Sequence, residues 1–450
     1  MSGAPFERFL GTSEMLAAFD ASALFQGMLD FEAALARAEA AEGSIPPAAA
    51  GFIAAACHVR RYDVDALEAA GARAGSLAIP LVKALTEAVA AVDAEAAGYV
   101  HWGSTSQDVI DTAMVLATRR ALQLIDADLG RLIDALRELD ARHGAAAMLG
   151  RTLLQPAQVI SFGFKLVSWI APLVRARTRL RAAARDALRL QLGGAVGTLA
   201  MLGERGPAVA ARMAADLGLA ATAGAWQTQR DDWVLLGCEV GVLAGSLGKI
   251  AADIALLAQG EIAEVAEPSG AGRGGSSAMP HKRNPVASMI ALAAATRTPQ
   301  RVAALLAAMP QQHERGLGNW QAELAEWPGL FVSTHGALHA LADAAGGLTV
   351  DAARMRANIE ALQGLVFSEA AAMVFAPHLG MARAQALVEQ CSKDAIANGR
   401  HLRDATQTAR AADAGLAALV SAADVDAAFD VDRAAAQATA VARRQLDALH

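Results

Sequence analysis

Aromatic side chains are scarce in this 450-residue chain: twelve Phe, six Trp and two Tyr make up 4% of it. Alanine and leucine dominate instead, which favours helix over sheet. Charged residues are few as well, at 19%, and the net charge is -7. A nucleic-acid binder working through a general basic surface is therefore excluded. The three cysteines, Cys57, Cys238 and Cys391, lie far apart and in no metal-ligand spacing. That rules out a disulfide framework and suits a reducing compartment. The opening stretch, MSGAPFERFLGTSEM, lacks the apolar core of a signal peptide. The most apolar stretch, VLLGCEVGVLAGSLGKIAADIALLAQ (234–259), is interrupted by Glu239, Lys249 and Asp253, so it is not read as spanning a membrane. The expectation is a soluble, cytoplasmic protein.

What is present is apolar material, 54% of the chain, enough for a large core. The length exceeds that at which one core stops growing, so two or three subdomains are expected. Leu129, Leu132, Ile133, Leu136 and Leu139 share one helical face, as do Leu180, Ala184, Leu188 and Leu192. Residues 234–265 are apolar or small around nearly the whole circumference, which predicts a helix enclosed by a bundle or by a subunit interface. No strand-period pattern of useful length competes. The class is all-α, in three parts: an N-terminal helical region over 1–110, a central bundle of long helices over 111–350, and a C-terminal helical region over 351–450.

Five polar stretches interrupt the helices. In GGSSAMPHKRNP (274–285), Asn284 reads as an N-cap with Pro285 at the first helical position. The unpaired N–H groups there, with His281, Lys282 and Arg283, make either an anion site or an ordinary capped helix in a solvated loop. GAGRGG (270–275) matches a dinucleotide fingerprint but follows no strand, so it is set aside. In HWGSTSQD (101–108), Ser104 and Gln107 fit a capping box, or else Thr105 and Ser106 donate to a substrate carboxylate. GRTLLQPAQ (150–158) reads as a polar turn opening the next long helix. QTQRDDW (227–233) and QHERGLGNWQAE (312–323) each hold an arginine beside amides or a histidine, the usual composition of a surface loop. His335 and His339 would share a helix face, with no third metal ligand near them in sequence. Ser277 and Lys282 lack the S-x-x-K spacing of a Ser–Lys nucleophile.

Taken in chain order, STSQD, GRTLLQ and GSSAMPHKRNP resemble the signature stretches of the fumarase/aspartase superfamily, and the resemblance covers essentially the whole chain. AIPLVKAL (78–85), YVHWGSTSQD, WQTQRD and HERGLGNWQAE are most similar to its bacterial cycloisomerase branch. The activity this implies is closure of 3-carboxy-cis,cis-muconate to a lactone in protocatechuate (beta-ketoadipate) breakdown. The resemblance makes Ser277 the proton carrier, supported by Lys282. It makes His101, Thr105, Ser106, Arg151, Gln155, Gln229, Asn284 and Arg315 ligands for a small tricarboxylate. It calls for no metal and no organic cofactor, and for neither nucleic acid nor membrane as a partner. It implies a homotetramer whose sites are shared between chains. The alternatives are a C–N lyase like adenylosuccinate lyase and a non-catalytic relative that keeps only the fold.

One departure separates these readings. Amine-expelling members carry a histidine after GRT, and this chain has Leu153. A leaving amine needs a proton supplied. A carboxylate, whose conjugate acid has a pKa of about 4, leaves without one. The missing histidine is what lactone chemistry allows.

Overall fold

In the computed structural model the described residues are 5–270, 274, 275, 279 and 282–449, and they are overwhelmingly helical. Five helices of 23 to 38 residues, Ser106–His143, Phe162–Ala187, Asp231–Leu257, Val286–Ala308 and Asn319–Gly346, dominate the chain. The chain divides into two compact units whose segments interleave: 1–130, 175–248 and 290–340 form the first, and 131–174, 249–289 and 341–450 the second. This is a different partition from one drawn at residues 110 and 350, which follows helix length along the chain.

The first unit is built on the helix Ala21–Ala41, whose Phe25, Leu29, Phe31 and Leu35 are almost wholly buried against Ile53, Leu81, Leu85 and Val109. The few aromatics are concentrated rather than dispersed. Trp233 and Trp327 stack with centroids 4.0 Å apart, flanked by Trp226 and Phe331. The indole of Trp327 donates to Thr118 Oγ1 at 2.8 Å, so its polar edge is satisfied. Along Asp231–Leu257, a Cβ on Gly241 would fall 2.6 Å from Val302 and one on Gly248 2.4 Å from Ala295. Those two glycines let the helix lie close against Val286–Ala308. Its outer face remains open, with Leu235 and Val242 each 51% exposed. By length and composition this helix could cross a membrane. Within the first unit, however, its Glu239 accepts from Arg179 at 2.8 Å.

The second unit packs Leu149 and Val159 against Phe367, Phe375, Val388, Leu402 and Phe429 of the C-terminal helices. Here the expectation of a turn leading directly into a helix is corrected. Residues 147–161 form an antiparallel hairpin, with Ala147 paired to Ser161, Leu149 to Val159 and Thr152 to Gln155. Leu153 and Leu154 make its two-residue tip, both at positive φ (50° and 65°), the mirror-image turn that hairpins favour. The strands carry no alternation because Met148 and Leu149 are both buried, so nothing in the sequence marked them.

Candidate functional site

In the first unit the stretch 101–108 is held from beneath by a buried polar network. The long helix begins at Ser106, and the Thr105 N–H donates to Asp108 Oδ2 at 3.2 Å, so the cap is Thr105 with Asp108 rather than Ser104 with Gln107. Ser104 instead turns its hydroxyl to His101 Nδ1 at 2.9 Å, and Gln107 donates to Asp111 and to the Gln227 carbonyl. Asp108 also accepts from Gly193 N (3.1 Å), Gly194 N (2.8 Å) and Gln227 Nε2 (3.0 Å). Gly194 has a φ of +70°, and a Cβ there would sit 2.9 Å from the Gly103 carbonyl. Only glycine lets these two loops meet. Burial pushes the Asp108 carboxyl up to about 6 despite its four donors.

One turn further along the helix, Asp111 accepts from Arg230 Nη1 at 2.9 Å, Trp320 Nε1 at 2.9 Å and Gln191 Nε2 at 3.1 Å. Arg230 also pairs with Glu323 and lies 4.4 Å over the Trp226 ring. The arginine of QTQRDDW and the Trp and Glu of GNWQAE are therefore buried scaffold. They fix the loops from which Thr105 and Arg315 project. Arg315 Nη1 donates to Thr105 Oγ1 at 3.0 Å and Nη2 to the Ala195 carbonyl at 3.0 Å. Arg315 is otherwise exposed and Ser106 is half-buried. His101 has a φ of 60° and sits with Nδ1 2.6 Å from Glu32 Oε1. Burial alone would pull the imidazole down, but the Glu32 carboxylate outweighs it and holds the ring above its ordinary value. The Glu32 carboxylate thus favours the protonated ring, in the same stretch as Thr105 and its partner Arg315, a set suited to a carboxylate.

Gln229 is not brought to this set. It is exposed and lines a separate cleft of about 330 Å³ with Arg189, Trp226 and Asp232, while Gln227 takes the buried place.

In the second unit Lys282, Arg283 and Asn284 line a cavity of about 960 Å³ with Gln259, Glu267 and Thr349. Ser277 and His281 lie outside the described residues. The expectation that the helix start at 284–286 offers its N–H groups to a substrate is corrected. Glu267 takes them, accepting from Ala287 N and Ser288 N at 2.9 Å each and from Ser288 Oγ at 2.7 Å. The helix begins at Val286, and Asn284 Nδ2 points to the Gly275 carbonyl at 3.5 Å. The anion that this helix end attracts is the chain's own. Arg151 is similarly committed: its guanidinium is bidentate on buried Glu264 at 2.7 and 3.1 Å, and Asn358 donates to the same carboxylate. Gln155 is exposed next to the hairpin tip, where Leu153 is 97% and Leu154 72% exposed.

A family model described as lyase matches residues 8–299. The chain belongs to the fumarase/aspartase lyase superfamily. It is 49% identical over 440 residues to 3-carboxy-cis,cis-muconate cycloisomerase of Bradyrhizobium diazoefficiens, covering 98% of this chain and 97% of that one. Nitrosuccinate lyase of Streptomyces davaonensis is 42% identical over 416 residues, 91% of this chain and 86% of the relative. The solved 3-carboxy-cis,cis-muconate lactonizing enzyme from Pseudomonas putida superposes with a TM-score of 0.91 at 44% identity, covering 99% of this chain and 98% of that one.

For a lyase chain of this family, the side chains that sequence reasoning missed are Glu32, Asp108, Asp111, Gln227, Arg230 and Glu323. The available signal was an unusual pairing of charge with tryptophan in QTQRDDW and GNWQAE. Solvated loops rarely place both together, because a large indole prefers burial.

Proposed function

We propose that this lyase-family chain closes 3-carboxy-cis,cis-muconate to 4-carboxymuconolactone, with Ser277 as the proton carrier. An internal carboxylate oxygen adds to the conjugated double bond. Electrons gather on a second carboxylate as an aci-carboxylate, and the carbon beside it takes a proton. Donors aimed at that developing charge lower the barrier. The Lys282 ammonium supplies charge, and Thr105, Ser106, Arg315 and His101 receive carboxylates. Asn284 and Gln155 are the remaining ligands, while Arg151 shapes the hairpin through Glu264 and Gln229 stands further from the set. The serine delivers the proton in lactonisation and removes it in reverse.

The observation that carries this reading is identity across nearly the full length to enzymes named for the reaction, joined to Leu153 at the place of the amine lyases' histidine. The chain acts on a small carboxylic acid, and its place in metabolism is the cytoplasmic breakdown of protocatechuate.

The working form is a homotetramer with sites shared between chains. Exposed Leu235 and Val242 on an otherwise apolar helix, and two exposed leucines at a hairpin tip, are surfaces that further copies would cover. A mixture of two inactive variants, Ser277→Ala and Thr105→Ala/Ser106→Ala, refolded together then regains activity. An active monomer by light scattering excludes shared sites. The function itself is tested by offering purified protein 3-carboxymuconate, cis,cis-muconate, nitrosuccinate and adenylosuccinate side by side. Turnover is expected with 3-carboxymuconate, and a clear preference for any of the others overturns the reading.

A further inference from the structure

His335 and His339 lie one turn apart on the helix Asn319–Gly346, and in sequence they have no third partner. The fold supplies one. Asp128, from the helix Ser106–His143, places Oδ2 3.1 Å from His335 Nε2 and 2.8 Å from His339 Nδ1. The three ligand atoms lie within 4.8 Å of one another. We propose that Asp128, His335 and His339 bind one divalent transition-metal ion of the zinc class.

The donor set is one carboxylate oxygen and two imidazole nitrogens, a combination that suits zinc, cobalt or nickel rather than calcium or magnesium. Two ligands at ~2.0 Å on a tetrahedral centre stand roughly 3.3 Å apart. Small side-chain adjustments therefore open room for an ion among the three atoms. Asp128 and His335 are buried, whereas the His339 side chain is 40% exposed, so water reaches a fourth position from one side. Thr12 Oγ1 lies 3.0 Å from His335 Nδ1. With Nδ1–H donating to that hydroxyl, Nε2 presents its lone pair toward the ion. A partner on the remote ring nitrogen is the usual support of a metal-binding histidine.

Without an ion, the same atoms make a hydrogen-bonded Asp with two imidazoles, so metal and protons compete for the site. Affinity is lost in acid. The cluster stands about 33 Å along the helix from Ser106, at about 1.5 Å per residue. The ion is therefore a clamp, apart from this chain's own Thr105–Arg315 set. It ties the Thr12 segment and two long helices of the first unit together.

The test uses full-length chelator-treated protein titrated with Co²⁺, followed by visible absorbance, with Zn²⁺ competing in a calorimeter. The expected result is one saturable equivalent per chain and a raised Tm on loading. His339→Ala should remove both effects. Thr12→Ala should weaken binding about 10- to 100-fold, and Thr12→Ser should restore it. No saturable binding overturns the proposal. So does binding that survives unchanged in His339→Ala, or in Thr12→Ala should the histidine variant fail to fold. Lactonisation plays no part in these readouts, so failure here is distinct from failure of the proposed reaction.

Discussion

Nδ1 of His101 lies 2.6 Å from Oε1 of Glu32, a group 69 positions away in the chain. The pairing anchors the ring through Nδ1, in the same stretch of chain as Thr105. It also holds the imidazolium above its ordinary value, against the pull of burial. A raised histidine contributes stability in full below about pH 6.5, and that contribution is lost as pH rises through its folded value. Glu32→Gln should therefore move the alkaline loss of kcat/KM to lower pH. At neutral pH it should reduce kcat/KM by about 10- to 100-fold, the worth of one charge-assisted hydrogen bond. A pH–rate profile of both proteins checks this. Superimposable profiles would remove His101 from substrate binding.

Asp108 acts in the same pH direction, but as a penalty on its ionised form. Its folded value is raised to about 6 from 3.8, so ionising it in the folded state is unfavourable. That penalty is absent below pH 3.8, grows as pH rises and is complete above about 6. At about 1.4 kcal/mol per pKa unit it reaches roughly 3 kcal/mol. Asp108→Asn should abolish this pH dependence. It should also lower Tm below about pH 4, because an amide N–H₂ would face backbone donors, at about 1–3 kcal/mol for each stranded group, whereas above about pH 6 the removed ionisation penalty offsets that loss. Thermal melts at about pH 4 and about pH 8 separate the two effects.

Arg230 is almost fully buried between Asp111 and Glu323. Arg230→Met leaves two unpaired carboxylates in the core, which should destabilise by about 3–5 kcal/mol. Denaturant unfolding should show a midpoint well below wild type, and the protein should lose activity with it. An unchanged midpoint would show that the network carries little of the fold.

The helical class and the positions of the polar loops were legible because a 3.6-residue period repeats over long helices and the breakers between them are Gly and Pro. The backing of the site was not. Glu32 and His101, or Arg230 and Asp111, meet across 69 and 119 positions, and such pairs leave no periodic trace. A single Glu in a helix reads as part of a solvated face until the fold buries it. Glu267 capping the helix at Val286 was hidden for the same reason: the cap comes from outside the helix's own sequence.

Leu153 is 97% exposed with φ at 50°. Leu153→His should shift stability by no more than about 0.5 kcal/mol in the isolated chain, as exposed substitutions do. It should not create adenylosuccinate cleavage, since one imidazole at a hairpin tip supplies no nucleotide site. Steady-state assays with both substrates on one preparation check this. Appearance of adenylosuccinate cleavage would contradict the leaving-group argument.

The most direct measurement is the single-turnover loss of 3-carboxymuconate diene absorbance by wild type and by Ser277→Ala, with binding of the substrate followed separately. The expected result is lactone formation by wild type and a loss of about 10²–10⁴-fold in the variant at nearly unchanged affinity, the usual contribution of a proton-transfer group. Retention of more than about a tenth of the wild-type rate by Ser277→Ala, or no lactone from the wild-type protein, would contradict it.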